Sequence, residues 1–195
     1  MINKIQSICV YCSSSNRVKQ EYKDVAVETA KIIAGAGKTL VYGGAKSGLM
    51  GIVADAALDA RGKVIGVITE YLQNLEVDHT SLTESYIVQT MHERKTMMAE
   101  KSDAFVILPG SLGTLEELAE VATWRQIGLH TKPIIIVNVD NYWDDFLSLI
   151  DRMIEEKCML EGHRDIFQVI DDPKDIIPAL NSFNPDVFDV KSKWD

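Results

Sequence analysis

The sequence predicts an α/β protein whose mainly parallel sheet is covered by helices on both faces. Short runs of almost uniformly apolar residues, typical of strands buried on both faces, alternate with longer segments of helical spacing. Three of the predicted strands are also followed by turns rich in glycine or serine, at 12–16, 43–48 and 109–114. Because ligands of parallel sheets bind at the carboxyl ends of strands, we expect these three turns to converge on one crevice.

The first third of the chain supplies three strands and two helices. Apolar or β-branched runs predict strands at 5–11, 39–42 and 64–68. Helical spacing of apolar residues predicts helices at 18–33 and 49–60. Glycines follow each of these helices, at Gly35, Gly37 and Gly62, where glycine commonly ends a helix.

The remainder alternates in the same way after a polar, irregular segment at 69–83. The same patterns predict strands at 86–88, 104–108, 134–139 and 166–170, and helices at 91–101, 114–127, 143–156 and 173–180. Residues 181–195 show little periodicity. We therefore predict one domain over 1–180 and a C-terminal tail over 181–195.

The bulk properties restrict the partners. With 195 residues the chain can form one domain with a sizeable core, and its net charge of −9 leaves no broad basic surface for nucleic acid. No stretch approaches the ~18 apolar residues of a membrane span, and the apolar run at 8–12 lacks a signal-peptide cleavage pattern. Three cysteines and no export signal indicate the reducing cytoplasm.

Two patterns that suggest metal sites are incomplete. His92 and Glu93 begin a zinc-protease motif, but Thr96 stands where the second histidine is required. Cys9 and Cys12 lie in a predicted strand, where positions i and i+3 point to opposite faces. We therefore predict no metal site, and we expect no cofactor because the first turn also lacks the dinucleotide-binding glycine pattern.

The most informative stretch is 105–120, where an apolar strand runs into Pro109 and Gly110, and Gly113 and Thr114 then open a helical segment. A strand, a glycine-rich turn and a helix start together present backbone N–H groups to an anion. This stretch therefore predicts a phosphate-binding loop.

The charged residues near this loop have two interpretations each. Thr114 and Glu117 have the spacing of a capping box, and Arg94 and Lys95 could be a solvated helix face. Alternatively, Glu117 lies one turn into a helix that opens on a phosphate loop, which places it near a sugar attached to that phosphate. Arg94 could then donate a planar fork to phosphate or sugar hydroxyls.

Three segments resemble the signatures of the LOG (Lonely Guy) family, namely Y-G-G-A-K-S-G-L-M-G at 42–51, M-H-E-R-K at 91–95 and P-G-S-L-G-T-L-E-E at 109–117. Members are cytokinin riboside 5′-monophosphate phosphoribohydrolases, often mislabelled as lysine decarboxylases. The similarity extends over about 8–170 and includes 123–130. It implies a modified Rossmann fold, a homodimer, and hydrolysis of a nucleoside 5′-monophosphate to free base and ribose 5-phosphate.

The resemblance also implies roles for individual residues. Arg94 and Glu117 match the catalytic residues of the family. The positions that match its substrate contacts are Glu76, Lys95, Gly110, Ser111, Leu112, Gly113, Thr114, Leu115, Glu116 and Thr123. No metal or redox cofactor is implied.

At three positions this chain departs from the family pattern, with Ser111, Ala45 and Ser13 in place of glycine. If the loop needs a positive φ at position 111, serine is strained there by about 1 kcal/mol. The leading hypothesis is hydrolysis of (N6-modified) adenosine 5′-monophosphate. The alternative is a nucleotide-binding or sensing module of the same fold without hydrolysis, and the acidic charge disfavours a single-stranded nucleic-acid binder.

Overall fold

The computed structural model describes residues 5–75, 78–79 and 81–185 of the chain. Seven strands form one sheet: β1 (Ser7–Tyr11), β2 (Thr39–Tyr42), β3 (Lys63–Thr69), β4 (Glu84–Val88), β5 (Ala104–Ile107), β6 (Ile134–Val137) and β7 (Gln168–Ile170). The α-helices are α1 (Gln20–Gly35), α2 (Gly48–Asp59), α3 (Glu70–Leu75), α4 (Met91–Glu100), α5 (Leu112–Gln126), α6 (Asp144–Glu155) and α7 (Ile176–Ser182). Short 3-10 segments lie at Val139–Asn141, Glu161–Ile166 and Pro173–Asp175.

The sheet is parallel throughout, in the order β4-β3-β2-β1-β5-β6-β7. The chain builds outward from β1 to the edge strand β4, then returns to the other side of β1 with β5. The topological switch point therefore lies between β1 and β5, where a crevice forms beyond the carboxyl ends of the two strands. This arrangement confirms the predicted α/β fold.

Alternate residues of each central strand enter two separate cores. In β1, Ile8 and Val10 pack on the face covered by α1, α2 and α7. Cys9 and Tyr11 pack on the opposite face, which α4, α5 and α6 cover. Cys12, three residues after Cys9, belongs to the first core, so the two thiols lie on opposite sides of the sheet as their spacing predicts.

One segment was predicted wrongly. Residues 69–83 are not irregular throughout, because Glu70–Leu75 forms the six-residue helix α3. The hydroxyl of Thr69, the last residue of β3, accepts a hydrogen bond from the Leu72 N–H at 3.2 Å. This bond satisfies a donor at the start of α3 and lets the chain turn from strand to helix without a loop.

The C-terminal elements are more divided than their pattern indicates. The predicted helix at 173–180 is a 3-10 turn at Pro173–Asp175 followed by α7, which continues to Ser182. Asp172 precedes the turn and its carboxylate accepts from the Lys174 N–H at 2.9 Å. The division between a domain at 1–180 and a tail at 181–195 stays a prediction. Among the residues described, no helix is both long and apolar enough to span a bilayer.

Candidate active site

Backbone hydrogen bonds hold the three predicted turns together at the switch point. The Ser13 N–H donates to the Pro109 carbonyl at 3.1 Å, which joins the turn after β1 to the turn after β5. The Leu49 N–H donates to the Ser13 carbonyl, and the Gly48 N–H donates to Asn16 Oδ1, both at 2.9 Å. The turn after β2 is thereby joined to the same point, and the predicted convergence of the three turns is confirmed.

Gly48 allows this close approach. Its φ is +61°, and a Cβ at this position would lie 2.3 Å from the carbonyl carbon of Ser14. Any other residue would therefore be strained in its backbone and would clash with the first turn. The glycine after β2 is needed for the contact between two turns.

A cavity of about 150 Å³ opens where the turns meet. Its walls combine one guanidinium, one carboxylate, hydroxyl groups, a thiol and two apolar side chains. The lining residues are Cys12, Ser14, Met50, Leu72, Arg94, Ser111, Gly113, Thr114 and Glu117. Five of the predicted site residues, from two helices and one turn, are thus brought to one cavity.

Helix α5 points its N-terminus at this cavity. The helix begins at Leu112, and Ser111 in the cap position makes no side-chain capping hydrogen bond. The first-turn N–H groups of this 15-residue helix have no intrahelical acceptors and carry the positive end of the helix dipole. Such a terminus can bind an anion.

The predicted capping box at Thr114 and Glu117 is wrong. Because α5 begins at Leu112, Thr114 lies inside the first turn and cannot be the cap residue. Glu117 is therefore released from a capping role. The structure places a capping box in α4 instead, where Thr90 and Glu93 satisfy each other's backbone N–H groups.

The serine in place of the family glycine fits the loop without backbone strain. Ser111 has φ −100° and ψ −155°, an extended conformation open to any residue. Ser13 and Ala45 are likewise absent from the non-glycine residues with positive φ. The left-handed positions in the second turn are Gly44, at φ +77°, and Gly48, and both are glycine in this chain.

Gly110 is the position in this loop that cannot carry a side chain. A Cβ there would lie 2.0 Å from Thr114 Oγ1 and 2.4 Å from Thr114 Cβ. Thr114 is buried, so it has little room to move away. The Gly110 carbonyl also accepts a hydrogen bond from the Tyr142 hydroxyl, which ties the phosphate-loop candidate to the segment after β6.

Arg94 is held in the cavity wall by two backbone carbonyls. Its Nε donates to the Val67 carbonyl of β3 at 3.0 Å, and its Nη2 donates to the Gly43 carbonyl after β2 at 2.8 Å. The residue is only 6% exposed. A Cβ on Gly43 would lie 2.1 Å from Nη2, so this glycine makes room for the guanidinium. Arg94 is thus a fixed buried cation rather than part of a solvated face.

Glu117 is part-buried in the lining of the same cavity, and its environment makes it titratable near neutrality. Burial raises the pKa of this carboxyl to about 7, although the positive charge of Arg94 acts in the opposite direction. The neighbouring carboxylate of Glu116 adds to the rise. A carboxyl group with such a pKa in a cleft beside an arginine is a candidate catalytic group.

Lys95 does not extend into the cavity. Its ammonium forms ion pairs with Glu116 and, at 3.0 Å, with Glu120, and the residue is 7% exposed. Glu120 was not among the predicted site residues. It lies one helical turn after Glu116 on α5, so both carboxylates meet the same ammonium.

The other predicted contacts lie outside the cavity lining. Leu112 is 81% exposed, Leu115 packs against the core, and Thr123 is exposed about three turns along α5. Glu76 lies outside the described residues, so its contact role stays a prediction.

Several cavity residues were not predicted as site residues. Cys12 and Ser14 occupy the first turn, whose position was predicted but whose side chains carry no motif. Leu72 belongs to the helix that was missed, and Met50 lies inside α2. Tyr142 is 32 residues from its partner Gly110, and no local pattern signals that contact.

Comparisons with known proteins agree with this geometry. A family model described as "Possible lysine decarboxylase" matches residues 50–180. The cytokinin riboside 5′-monophosphate phosphoribohydrolase LOG of Oryza sativa subsp. japonica is 42% identical over 193 residues, which cover 99% of this chain and 79% of the relative. The phosphoribohydrolase LOG3 of Arabidopsis thaliana is 41% identical over 183 residues, covering 94% and 85%. The chain belongs to the LOG family.

Solved structures share the fold with this LOG-family chain. The molybdenum cofactor binding protein of Rippkaea orientalis superposes with a TM-score of 0.70 at 19% identity, covering 92% of this chain and 98% of that one. The molybdenum cofactor carrier protein of Chlamydomonas reinhardtii gives 0.70 at 20% identity, covering 91% and 97%. At such identities the likeness concerns the Rossmann-like fold alone.

The older description of the LOG family as decarboxylases does not fit this cavity. Amino-acid decarboxylation through pyridoxal phosphate needs a lysine that forms a Schiff base with the cofactor. Within the described part of the chain, none of the lining residues is a lysine. Lys95, adjacent to the cavity, is engaged by two carboxylates.

Proposed function

We propose that this chain hydrolyses the N-glycosidic bond of (N6-modified) adenosine 5′-monophosphate, giving the free base, a cytokinin, and ribose 5-phosphate. The observation that carries the proposal is the cavity that Glu117 and Arg94 both line beside the uncapped N-terminus of α5. The names of the two phosphoribohydrolase relatives support the same activity.

The 5′-phosphate is assigned to the start of α5. The first turn of α5 has no side-chain cap from Ser111, and Ser111, Gly113 and Thr114 line the cavity. Oriented N–H groups and the helix dipole together stabilise a dianionic phosphate. This placement fixes one end of the nucleotide and directs its ribose along the first turns of α5, toward Glu117.

Glu117 is assigned to the breaking bond. As the C1′–N9 bond breaks, its electron pair leaves with the base and positive charge develops on the ribosyl ring. An ionised carboxylate stabilises that charge, or orients the water whose oxygen bonds to C1′, while the water supplies the proton that the base requires. Arg94 positions the ribose phosphate and stabilises negative charge on the departing base.

The decisive experiment incubates the purified protein with AMP and with N6-prenylated AMP and follows free base and ribose 5-phosphate by chromatography. We expect release of base from the prenylated nucleotide, and plain AMP serves to measure whether the chain is also an AMP nucleosidase. Binding of both nucleotides without product would overturn the proposal and favour the sensing module.

The pH dependence follows from the pKa of Glu117. Its folded-state pKa is raised to about 7 by burial, and the proposed role requires the ionised form. We expect kcat/KM to fall about tenfold per pH unit below about pH 7 and to level off above it. The second ionisation of the substrate phosphate, near pKa ~6, is measured separately by phosphorus NMR. A flat profile between about pH 6 and pH 8 would contradict the role of Glu117.

A matched pair of glycine substitutions tests the phosphate position. Gly113 lines the cavity and a Cβ there meets no atom within 4 Å, whereas a Cβ on Gly110 collides with Thr114. We expect Gly113→Ala to raise KM for the nucleotide about tenfold or more while raising helix stability by about 0.5–1 kcal/mol. Gly110→Ala should instead lower the melting temperature. An unchanged KM in Gly113→Ala would place the phosphate elsewhere.

We further propose that the protein is a cytoplasmic homodimer without nucleic-acid or membrane partners. The three free cysteines support a reducing compartment, and the net charge of −9 opposes binding to a polyanion. Light scattering of the purified chain tests the dimer, with a monomeric mass as the contrary result.

A further inference from the structure

Among the residues that the structure describes, Lys95 is the one lysine that is buried. It is 7% exposed, yet it is the residue next to Arg94 on a helix of only ten residues. Its ammonium contacts two carboxylates of α5, Glu116 and Glu120, whose side chains are 54% and 23% exposed. Of these three side chains, Lys95 is therefore the buried one, and the carboxylates of Glu116 and Glu120 lie between it and the solvent.

The two neighbours Arg94 and Lys95 bind different parts of the fold. Successive residues of an α-helix point about 100° apart, so α4 directs the two cations to different partners. Arg94 donates to the Val67 carbonyl of β3 and to the Gly43 carbonyl that follows β2. Lys95 binds α5 on either side of Glu117, at one residue before and three residues after it. One turn of α4 thus connects β2 and β3 to the helix that carries Glu117.

We propose that Lys95 is a positioning residue for the phosphoribohydrolase reaction: its ammonium ties α5 to α4, so that Glu117 stays in the same cavity as Arg94, and it neutralises the two carboxylates that flank Glu117. It does not serve as a phosphate ligand. This inference rests on the proposed function for its catalytic consequence, and on the ion-pair geometry alone for its effect on Glu117.

The charged groups around Glu117 all belong to this arrangement. Burial has the largest effect and raises the pKa of Glu117. Arg94 and Lys95 on α4 lower this pKa, whereas Glu116 and Glu120 on α5 raise it further. Removing the Lys95 charge leaves two carboxylates without their partner on the same helix surface. The pKa of Glu117 then rises further, and less of it is ionised at neutral pH.

The titratable groups of β1 and of the turn after it do not oppose this rise in the pKa of Glu117. Burial raises the pKa values of the Cys9 and Cys12 thiols and of the Tyr11 hydroxyl, and the negative charge of Glu117 adds to each rise. These three groups are therefore neutral across the working pH range. The ionisation of Glu117 depends on the four charged residues of α4 and α5.

The alternative role of Lys95, as a substrate contact, makes a different prediction. A phosphate bound by the ammonium would have to share it with Glu116 and Glu120. Loss of a ligand that binds ground state and transition state equally raises KM with little change in kcat. Loss of a positioning residue lowers kcat and displaces the pH profile, with KM nearly unchanged.

The test compares Lys95→Met with Glu120→Gln and with the conservative variant Lys95→Arg, using base release from N6-prenylated AMP as a function of pH. For Lys95→Met we expect kcat to fall about tenfold to a hundredfold, KM to stay within about threefold, and the acid limb to move to higher pH. Glu120→Gln should move the limb to lower pH. Lys95→Arg should restore most of kcat, because arginine can bind both carboxylates.

A carbon-13 NMR titration of glutamate-labelled protein, with Glu117→Gln for assignment, gives a readout without activity. If the wild-type protein releases no base, the proposed function fails, yet the displaced titration of Glu117 in Lys95→Met still supports the ion-pair role. If the wild-type protein is active, an unchanged Glu117 titration together with a KM raised tenfold or more overturns the inference. Should Lys95→Met fail to fold by circular dichroism, Glu120→Gln carries the same test with the opposite sign.

Discussion

Glu117→Gln is expected to abolish release of the base and, at about pH 8, to raise the melting temperature. Activity is lost because the amide cannot stabilise the ribosyl cation, and a loss of about a thousandfold or more in kcat is expected for a group that acts on charge at the reacting bond. Stability increases because burial disfavours the ionised carboxylate in the folded state.

The sign of the stability effect follows from linkage. The pKa of Glu117 is about 7 in the folded protein and about 4.5 in the unfolded chain, so the folded state binds more protons between these values. Wild-type stability therefore declines as pH rises through this window, and glutamine removes the decline. We expect a gain on the order of 3 kcal/mol at about pH 8, because the two pKa values differ by about 2.5 and each pKa unit corresponds to about 1.4 kcal/mol, and little gain at about pH 4.

The measurement is thermal unfolding at both pH values beside the base-release assay. Glu155→Gln on α6 is the matched control, since Glu155 is largely exposed and remote from the cavity. A Glu117→Gln variant that cleaves the nucleotide at the wild-type rate would remove the catalytic assignment. A variant that is inactive but destabilised at pH 8 would contradict the buried charge.

Arg94→Ala is expected to lose both activity and stability. The substitution leaves the carbonyls of Val67 and Gly43 without their donor, which costs about 1–3 kcal/mol for each group left buried and unpaired. It also removes the cation that shares the cavity with Glu117. We expect kcat/KM to fall about a hundredfold or more, with a melting temperature clearly below that of the wild-type protein.

Gly43→Ala separates the two effects of Arg94. The added Cβ would lie 2.1 Å from Nη2, the flexible end of the side chain, so the guanidinium must move while the backbone can stay. Activity should fall nearly as far as in Arg94→Ala, with a smaller loss of stability. Gly35→Ala is the control, because a Cβ there meets nothing within 4 Å. Full activity in Gly43→Ala would show that the position of the guanidinium is unimportant.

Much of the fold could be predicted because it depends on local patterns. Strands such as β1 and β5 are apolar on both faces, and this feature alone indicates a covered parallel sheet. The convergence of the turns followed from topology, since strand ends on one edge must meet. Helix α3 was missed because a six-residue helix, started by the hydroxyl of Thr69, has too few residues for a periodic pattern.

The site was less predictable, since the role of each of its residues depends on contacts between segments that are distant in the sequence. The sequence left a capping role for Glu117 open beside the catalytic one, because the spacing from Thr114 permits it, and only the start of α5 at Leu112 removes the capping role. Lys95 was expected to contact substrate, and its enclosure by Glu116 and Glu120 depends on how α4 and α5 pack. Whether serine is strained at position 111 depends on its φ angle, which the sequence motif does not give.

The missing cap of α5 has a consequence for how ligand and fold depend on each other. Thr90 completes the first turn of α4 from within the chain, whereas Ser111 makes no such bond for α5. The nucleotide phosphate proposed here would supply that missing acceptor. In that case substrate binding and the stability of α5 are linked, and nucleotide binding should slow hydrogen exchange in the first turn of the helix that carries Glu117.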